Sequence, residues 1–441
     1  MTAGAHADRS ASLADATAWL VRCDALPADV EAKARLLLLD TLGCLLAGLN
    51  HPDVKAFGRA LRVAFPGDVA WPASDIQLAP AASGALGAAA ACWDEACEGN
   101  ASAHGRPGLP VVPALLALAA TRNATLGELL LALATGYEIG TRAGESWRIP
   151  PGWHVDGSSH SLGVAAAVAR LTSGPQRVQA AIEAAACQIP ASLYLPITVG
   201  SVLRNTYAAH AVLLGVMAAA AADANFTMPD GALEEGRRRV LRAENDANPT
   251  PAGHWTILDG YLKPFAAVRH THYGVAAALR LRQHPAFSLA KLGAIRLQVY
   301  DEAMRYCGNR APQTAIQAQF SLSYAVAAAL VLGDLGPEAY TKLDDPAITD
   351  LERRIAVDVD PARTHRGATL TLTIDGAALS DTVDAVAGDP SMPMTQAEAV
   401  AKFHRYTDSI VGRPHAEALV AFALEASATT PARQCFSLGR P

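Results

Sequence analysis

The sequence predicts a mainly α-helical protein, with a large all-helical domain made from both chain ends and a smaller α+β domain between them. Three observations predict it. The first two-thirds repeats alanine- and leucine-rich stretches with apolar residues at helical spacing. After about residue 270 short runs alternate apolar and polar residues, the period of a half-buried strand. From Thr395 the helical pattern returns, which puts the last helices back on the first domain. The expected division is 1–268 with 395–441 for the helical part and 269–394 for the α+β part.

The elements follow in order. Ser12 to Cys23 opens with a serine cap. Ala28 to Leu49 contains the Leu36–Leu39 block, a sign of burial all round. Helices are expected over Ala81–Trp93, Val111–Ala120, Thr125–Arg142, Ser159–Leu171, Pro175–Ala186 and Thr206–Ala224. Their small side chains let neighbours approach closely, so a bundle-like layer is expected. Strands are expected at Ala294–Tyr300, Arg354–Val359, Ala368–Ile374 and Leu379–Ala385, with Asp375-Gly376 as a turn. Thr314–Leu332 and Pro337–Lys342 read as helices among them, and Thr395–Tyr406 and His415–Ser427 close the chain.

Composition narrows the function. Of 441 residues, 51% are hydrophobic and only 18% charged, which implies a large buried fraction and a subunit interface. The net charge of −6 and the lack of a lysine or arginine run argue against nucleic acid. The seven cysteines form no CxxC pair and read as free thiols in a reducing compartment. Asp8, Asp15 and Asp24 argue against a leader peptide, and no stretch of about 20 apolar residues suggests a membrane span, so cytoplasm is expected. GxGxxG, GxxxxGK[ST] and GxSxG are absent.

Four segments concentrate polar chemistry outside helix interiors. Trp93–Pro110 holds Asp94, Glu95, Glu98, Asn100, His104 and Arg106; it reads as a site loop or as an ordinary connection between helices. Gly152–Gly163 places His154 and His160 before an alanine-rich helix, either as a capped helix start or as an anion site. In Ser201–His210, Arg204 and Asn205 precede Tyr207 and His210, which share a helix face; Arg204 is a carboxylate ligand or part of a solvated start. Gly260–His272 packs Lys263, Arg269, His270 and His272 together at the composition change, as a junction pocket or a basic patch. The His270–His272 pair has no spaced carboxylate partner, so no metal site is expected.

At these segments the chain resembles the MmgE/PrpD family, which includes 2-methylcitrate dehydratase, cis-aconitate decarboxylase and iminodisuccinate epimerase. Asp40-Thr41-Leu42-Gly43-Cys44 with Ala47-Gly48 looks like its early helix signature, and Glu98 to Ala119 like its acidic loop, HPG turn and following helix. Gly152-Trp153-His154 with Gly157 and Leu162-Gly163 resembles its histidine loop. Arg204-Asn205 with Tyr207 and His210 resembles a loop that carries lysine elsewhere in the family. Tyr261-Leu262-Lys263-Pro264-Phe265 with Arg269 and His272 looks like its lysine–proline motif. Pro312-Gln313-Thr314, Ala318-Gln319-Phe320-Ser321-Leu322 and Tyr324 resemble its motif in the smaller domain.

The resemblance implies a homodimer with an active site between a helical domain and an α+β lid, and neither metal nor organic cofactor. It implies a lyase that removes a proton beside a carboxylate of a small di- or tricarboxylate, with 2-methylcitrate dehydratase as the nearest pattern. Epimerisation, decarboxylation and a catalytically silent carboxylate-binding protein are the alternatives. His154 is the expected base, Lys263 a stabilising cation, and His272 or Tyr324 the proton donor. His104, Arg106, Arg204, Asn205, Tyr207, Arg269 and Glu98 are the expected substrate-binding residues. The sequence departs from the family at Cys97, where an aspartate is usual, at Arg106, which replaces the HPG histidine, and at Arg204. An arginine cannot serve as a base at neutral pH.

Overall fold

The computed structural model describes residues 9–147, 149–240 and 250–438. Asp8 lies outside these residues, and so does the side chain of Ser12, the expected cap. Helix accounts for 59% and strand for 10% of the molecule, so the chain is mainly α with a small sheet-bearing part.

The core is built from helices with almost no polar face. Pro80–Cys92 and Gly108–Ala119 are buried nearly end to end, as expected of helices that are apolar all round. Small residues set how near they come. Leu126–Ser146 and His160–Ser173 cross at Gly136 and Gly163, where a Cβ on Gly163 would stand 2.6 Å from the Gly136 carbonyl oxygen. That crossing fixes the start of the His160 helix, and with it the histidine loop that precedes it.

Gln396–Val411, opened by a Thr395–Glu398 capping box, packs against Ala28–Leu49. Lys402 on this helix donates to Asp40 at 2.6 Å and to the Ala96 carbonyl at 2.7 Å. The early Asp40–Cys44 signature is thus tied to the C-terminal helix and to the underside of the acidic loop.

The small sheet has the order Ile355–Val359, Leu292–Val299, Ala368–Ile374, Ala377–Val383. The first pair is parallel and the other two are antiparallel. Ala368–Ile374 buries every second residue, as its alternation predicts. Asp375 and Gly376 both take positive φ, 49° and 82°, the geometry of a tight hairpin.

Several elements differ from expectation. Pro52–Ala64, His272–Arg282, Asp301–Cys307 and Pro346–Arg354 are additional helices. The single helix expected over Thr314–Leu332 is two, Ala315–Gln319 and Leu322–Leu332. It breaks because Ser321 caps the second helix, accepting from the Tyr324 N–H, while the Gln319 carbonyl accepts from Val268. The first helix begins at Arg9, ahead of the expected start. Among the described residues Val202–Asp223 is long and apolar enough to cross a membrane by composition, contrary to expectation, and half of it is buried inside the fold.

Candidate active site

A cavity of about 260 Å³ lies between the helical part and the sheet-bearing part. The acidic loop forms one wall. It is pinned by a short antiparallel pairing in which Gly99 faces Tyr261 and Asn100 faces Gly260. Asn100 folds the loop back: its side-chain oxygen accepts from the Ser102 N–H at 3.0 Å, and its amide donates to the Thr256 carbonyl. Glu95 and His104 both sit at positive φ, 53° and 52°, a conformation uncommon outside glycine.

Two buried carboxylates organise the cations. Glu95 accepts from Lys263 at 2.8 Å, also accepts from Arg204, and lies 3.1 Å from Arg106. Against the cost of burial, these charges hold its carboxyl far below the usual carboxylate range. Asp156 accepts from Arg106, lies 3.7 Å from Arg204, and is held low in the same way. The Cys92 sulfur accepts from Arg204 at 2.7 Å and from Arg106 at 3.1 Å beneath them.

His154 enters from the opposite loop. Its N–H donates to the Ser192 carbonyl at 2.7 Å, and its ring Nδ1 accepts from the Asp156 N–H at 3.0 Å. The turn needs Gly157, with φ of 81°, because a Cβ there would stand 2.8 Å from the Tyr207 carbonyl. Burial pushes the His154 pKa down to about 4. Across the cavity His104 Nδ1 lies 3.7 Å from a Glu302 carboxylate oxygen, and the nearby imidazole brings Glu302 down to about 2. His270 also lines the cavity, with Nδ1 bonded to the Tyr300 hydroxyl. Burial pushes its pKa down to about 3.

Residues 12–249 match the MmgE/PrpD N-terminal domain, and residues 265–426 match the MmgE/PrpD C-terminal domain. The chain belongs to the MmgE/PrpD family. Members of that family are generally enzymes, of a dehydratase- or lyase-like kind. No curated protein matches the chain.

In this MmgE/PrpD chain the cavity brings together His154, Lys263, His104, Arg106, Arg204 and Arg269 of the residues singled out in the sequence. Five others stand outside its lining. His272 is fully buried, with Nε2 on the Ala267 carbonyl and Nδ1 facing Arg269, so neither ring nitrogen is free to donate a proton. Tyr324 donates to the Ala339 carbonyl at 2.7 Å and borders a different depression, beside Glu352. Glu98 lies under the loop, where it accepts from the first N–H groups of the Gly108–Ala119 helix, and burial raises it to about 8. Asn205 is buried, its side-chain oxygen accepting from Arg204. Tyr207 donates to the Leu193 carbonyl and so supports the segment that holds His154.

Of the departures, Cys97 is fully buried against Thr41. Sequence reasoning missed Asp156, Tyr261, Glu302, Tyr306 and Arg366 as lining residues. Asp156 lies inside the Gly152–Gly163 segment, two residues from His154, which is a local signal for it; Glu302 and Arg366 carry none.

Proposed function

We propose that the cavity binds a small hydroxy-polycarboxylate and that the chain is a lyase of the dehydratase type, abstracting a proton beside a carboxylate. Charge carries the reading: Arg106, Arg204, Lys263, Arg269 and Arg366 line one small cavity against Glu95, Asp156 and Glu302. Buried donors without acceptors add to it, among them Arg204 Nε and Arg269 Nε. Such a site favours anions and stabilises the charge that develops on carboxylate oxygens as the carbon loses its proton.

The two cavity histidines support a division of labour. His154 is neutral, and since Nδ1 accepts from the Asp156 N–H, its proton sits on Nε2. That tautomer donates and cannot accept at Nε2, so His154 suits the acid, not the base expected from sequence. Its Nε2 proton passes to the leaving hydroxyl, the imidazolate left is stabilised by the Asp156 N–H and the charges of Arg204 and Arg106, and solvent returns the proton. His104 has the opposite arrangement. A charged Glu302 facing Nδ1 favours the proton there and leaves Nε2 open as a base.

The purified protein, incubated with a panel of citrate-like acids, is expected to form a conjugated double bond, seen as new ultraviolet absorbance. Epimerisation is the second reading, favoured because a separate acid and base face one cavity. Solvent deuterium entering the carbon without net dehydration selects it, and released CO2 selects decarboxylation. Ligand binding without turnover of any acid reduces the protein to a carboxylate binder. A homodimer belongs to the same reading. Leu193, Leu195, Val199, Val202 and Leu203 expose an apolar run beside the cavity that a second copy would cover, and sedimentation tests it.

A further inference from the structure

Four of the five cations lining the cavity already hold carboxylates. Arg106 and Arg204 are tied to Asp156 and Glu95, Lys263 to Glu95, and Arg269 to Asp389. Arg366 differs. Among the described residues it makes no hydrogen bond and has no carboxylate within ion-pair distance. Its electrostatic neighbours are Tyr261, Tyr300 and Tyr273, with a weaker effect from Glu302. It is half-buried, and it stands in the loop between the strands Ile355–Val359 and Ala368–Ile374.

That loop is held firmly. The Asp360 N–H donates to the Val299 carbonyl at 2.8 Å, and the Asp360 side chain accepts from the Ala362 N–H. Arg363 donates to Asp384 and to the Thr369 hydroxyl. The backbone beside Arg366 is therefore fixed while its guanidinium lacks a partner. Arg366 is only half-buried and keeps solvent contact, so an arriving carboxylate meets a cation that no protein carboxylate holds at close range. The paired cations offer less, because a ligand must compete with Glu95, Asp156 or Asp389 for them.

We infer that Arg366 is the primary anchor for one substrate carboxylate, gripping it through two parallel N–H···O bonds from the sheet-bearing side of the cavity. The inference rests on the polycarboxylate reading and deepens it. The carboxylate next to the reacting carbon then faces Lys263 and Arg106, so acids with two or more carboxylates are preferred over those with one.

The test uses the full-length protein, with propionate, succinate and tricarballylate as probes, by calorimetric titration and thermal shift. The unliganded Arg366→Met variant is expected to melt no lower than wild type, since it loses an unpaired charge. Its affinity for succinate and tricarballylate is expected to fall by at least about tenfold, with Arg366→Lys in between and propionate little affected. A lower melting point in unliganded Arg366→Met marks a structural arginine and overturns the inference. Polycarboxylate affinity within twofold of wild type overturns it too, and leaves the proposed function standing. Wild-type protein that binds none of the three overturns the polycarboxylate reading and the anchor with it.

Discussion

The backbone N–H of Asp156 donates to Nδ1 of His154 over 3.0 Å, and this decides which ring nitrogen carries the proton. The same residue's carboxylate holds Arg106 on its other side. Asp156 thus sets the tautomer of His154 through its backbone and places a cation through its side chain. Nothing in the spacing of a GWHVDG stretch shows which ring nitrogen is protonated; the hydrogen bond does, and the acid role proposed for His154 rests on it.

His154→Gln keeps a side-chain N–H donor but cannot transfer a proton. In a turnover assay it is expected to lower kcat by about 10²–10⁴ while solvent deuterium still exchanges at the substrate carbon. His104→Ala is expected to abolish that exchange. The reverse pattern, with exchange lost in His154→Gln and kept in His104→Ala, returns the base to His154.

Glu95 is the carboxylate shared by Arg106, Arg204 and Lys263. Glu95→Gln leaves three cations around a neutral amide. Breaking a buried pair from one side costs about 3–5 kcal/mol, and a loss of that size is expected in urea unfolding. A change below about 1 kcal/mol would mean that the cations find other partners.

Tyr324 and His272 are expected to be silent in catalysis. The Tyr324 hydroxyl serves the Ala339 carbonyl, so Tyr324→Phe is expected to cost about 1 kcal/mol of stability and to leave kcat within about threefold. A loss of kcat by a hundredfold with an unchanged melting point would restore Tyr324 to the chemistry.

Stability is expected to peak near pH 6.5. His154 and His270 are lowered by burial to about 4 and about 3, and His51, His160 and His272 are lowered as well. On unfolding each regains its ordinary value near 6.5 and takes up a proton below it. Their contribution is full above 6.5 and is lost as pH falls toward the folded values. Glu98 and Asp94, raised by burial to about 8 and about 6, and Glu138, raised as well, act the other way, since folding holds their protons. Five lowered histidines outweigh the three raised acids on the acid side, and between 6.5 and 8 Glu98 acts where the histidines no longer do. Melting points measured from pH 4.5 to 8 should rise and then fall; a steady rise to pH 8 would contradict the burial of Glu98 as an acid.

The sequence was most legible where one physical signal acts locally. Alternation located Ala368–Ile374, Asp375-Gly376 marked its turn, and alanine-rich spacing located the buried helices. It was less legible where the signal is polar or divided. Pro52–Ala64 is mostly exposed and lacks the apolar run that marks the core helices, and Thr314–Leu332 breaks at a cap that only Ser321 provides.

The sequence alone determined that this chain is a mainly helical protein with a small α+β part, and which loops collect histidine, lysine and arginine. Local periodicity carries that information, because each residue's burial is set by its immediate neighbours along a helix or strand. Tertiary structure decided which of those side chains share a cavity. It neutralised Arg204 and Lys263 with Glu95, turned His272 and Tyr324 onto backbone carbonyls, and left Arg366 without a hydrogen-bond or ion-pair partner among the described residues. Charge and hydrogen bonding act between groups that meet only through folding, so no spacing along the chain encodes them.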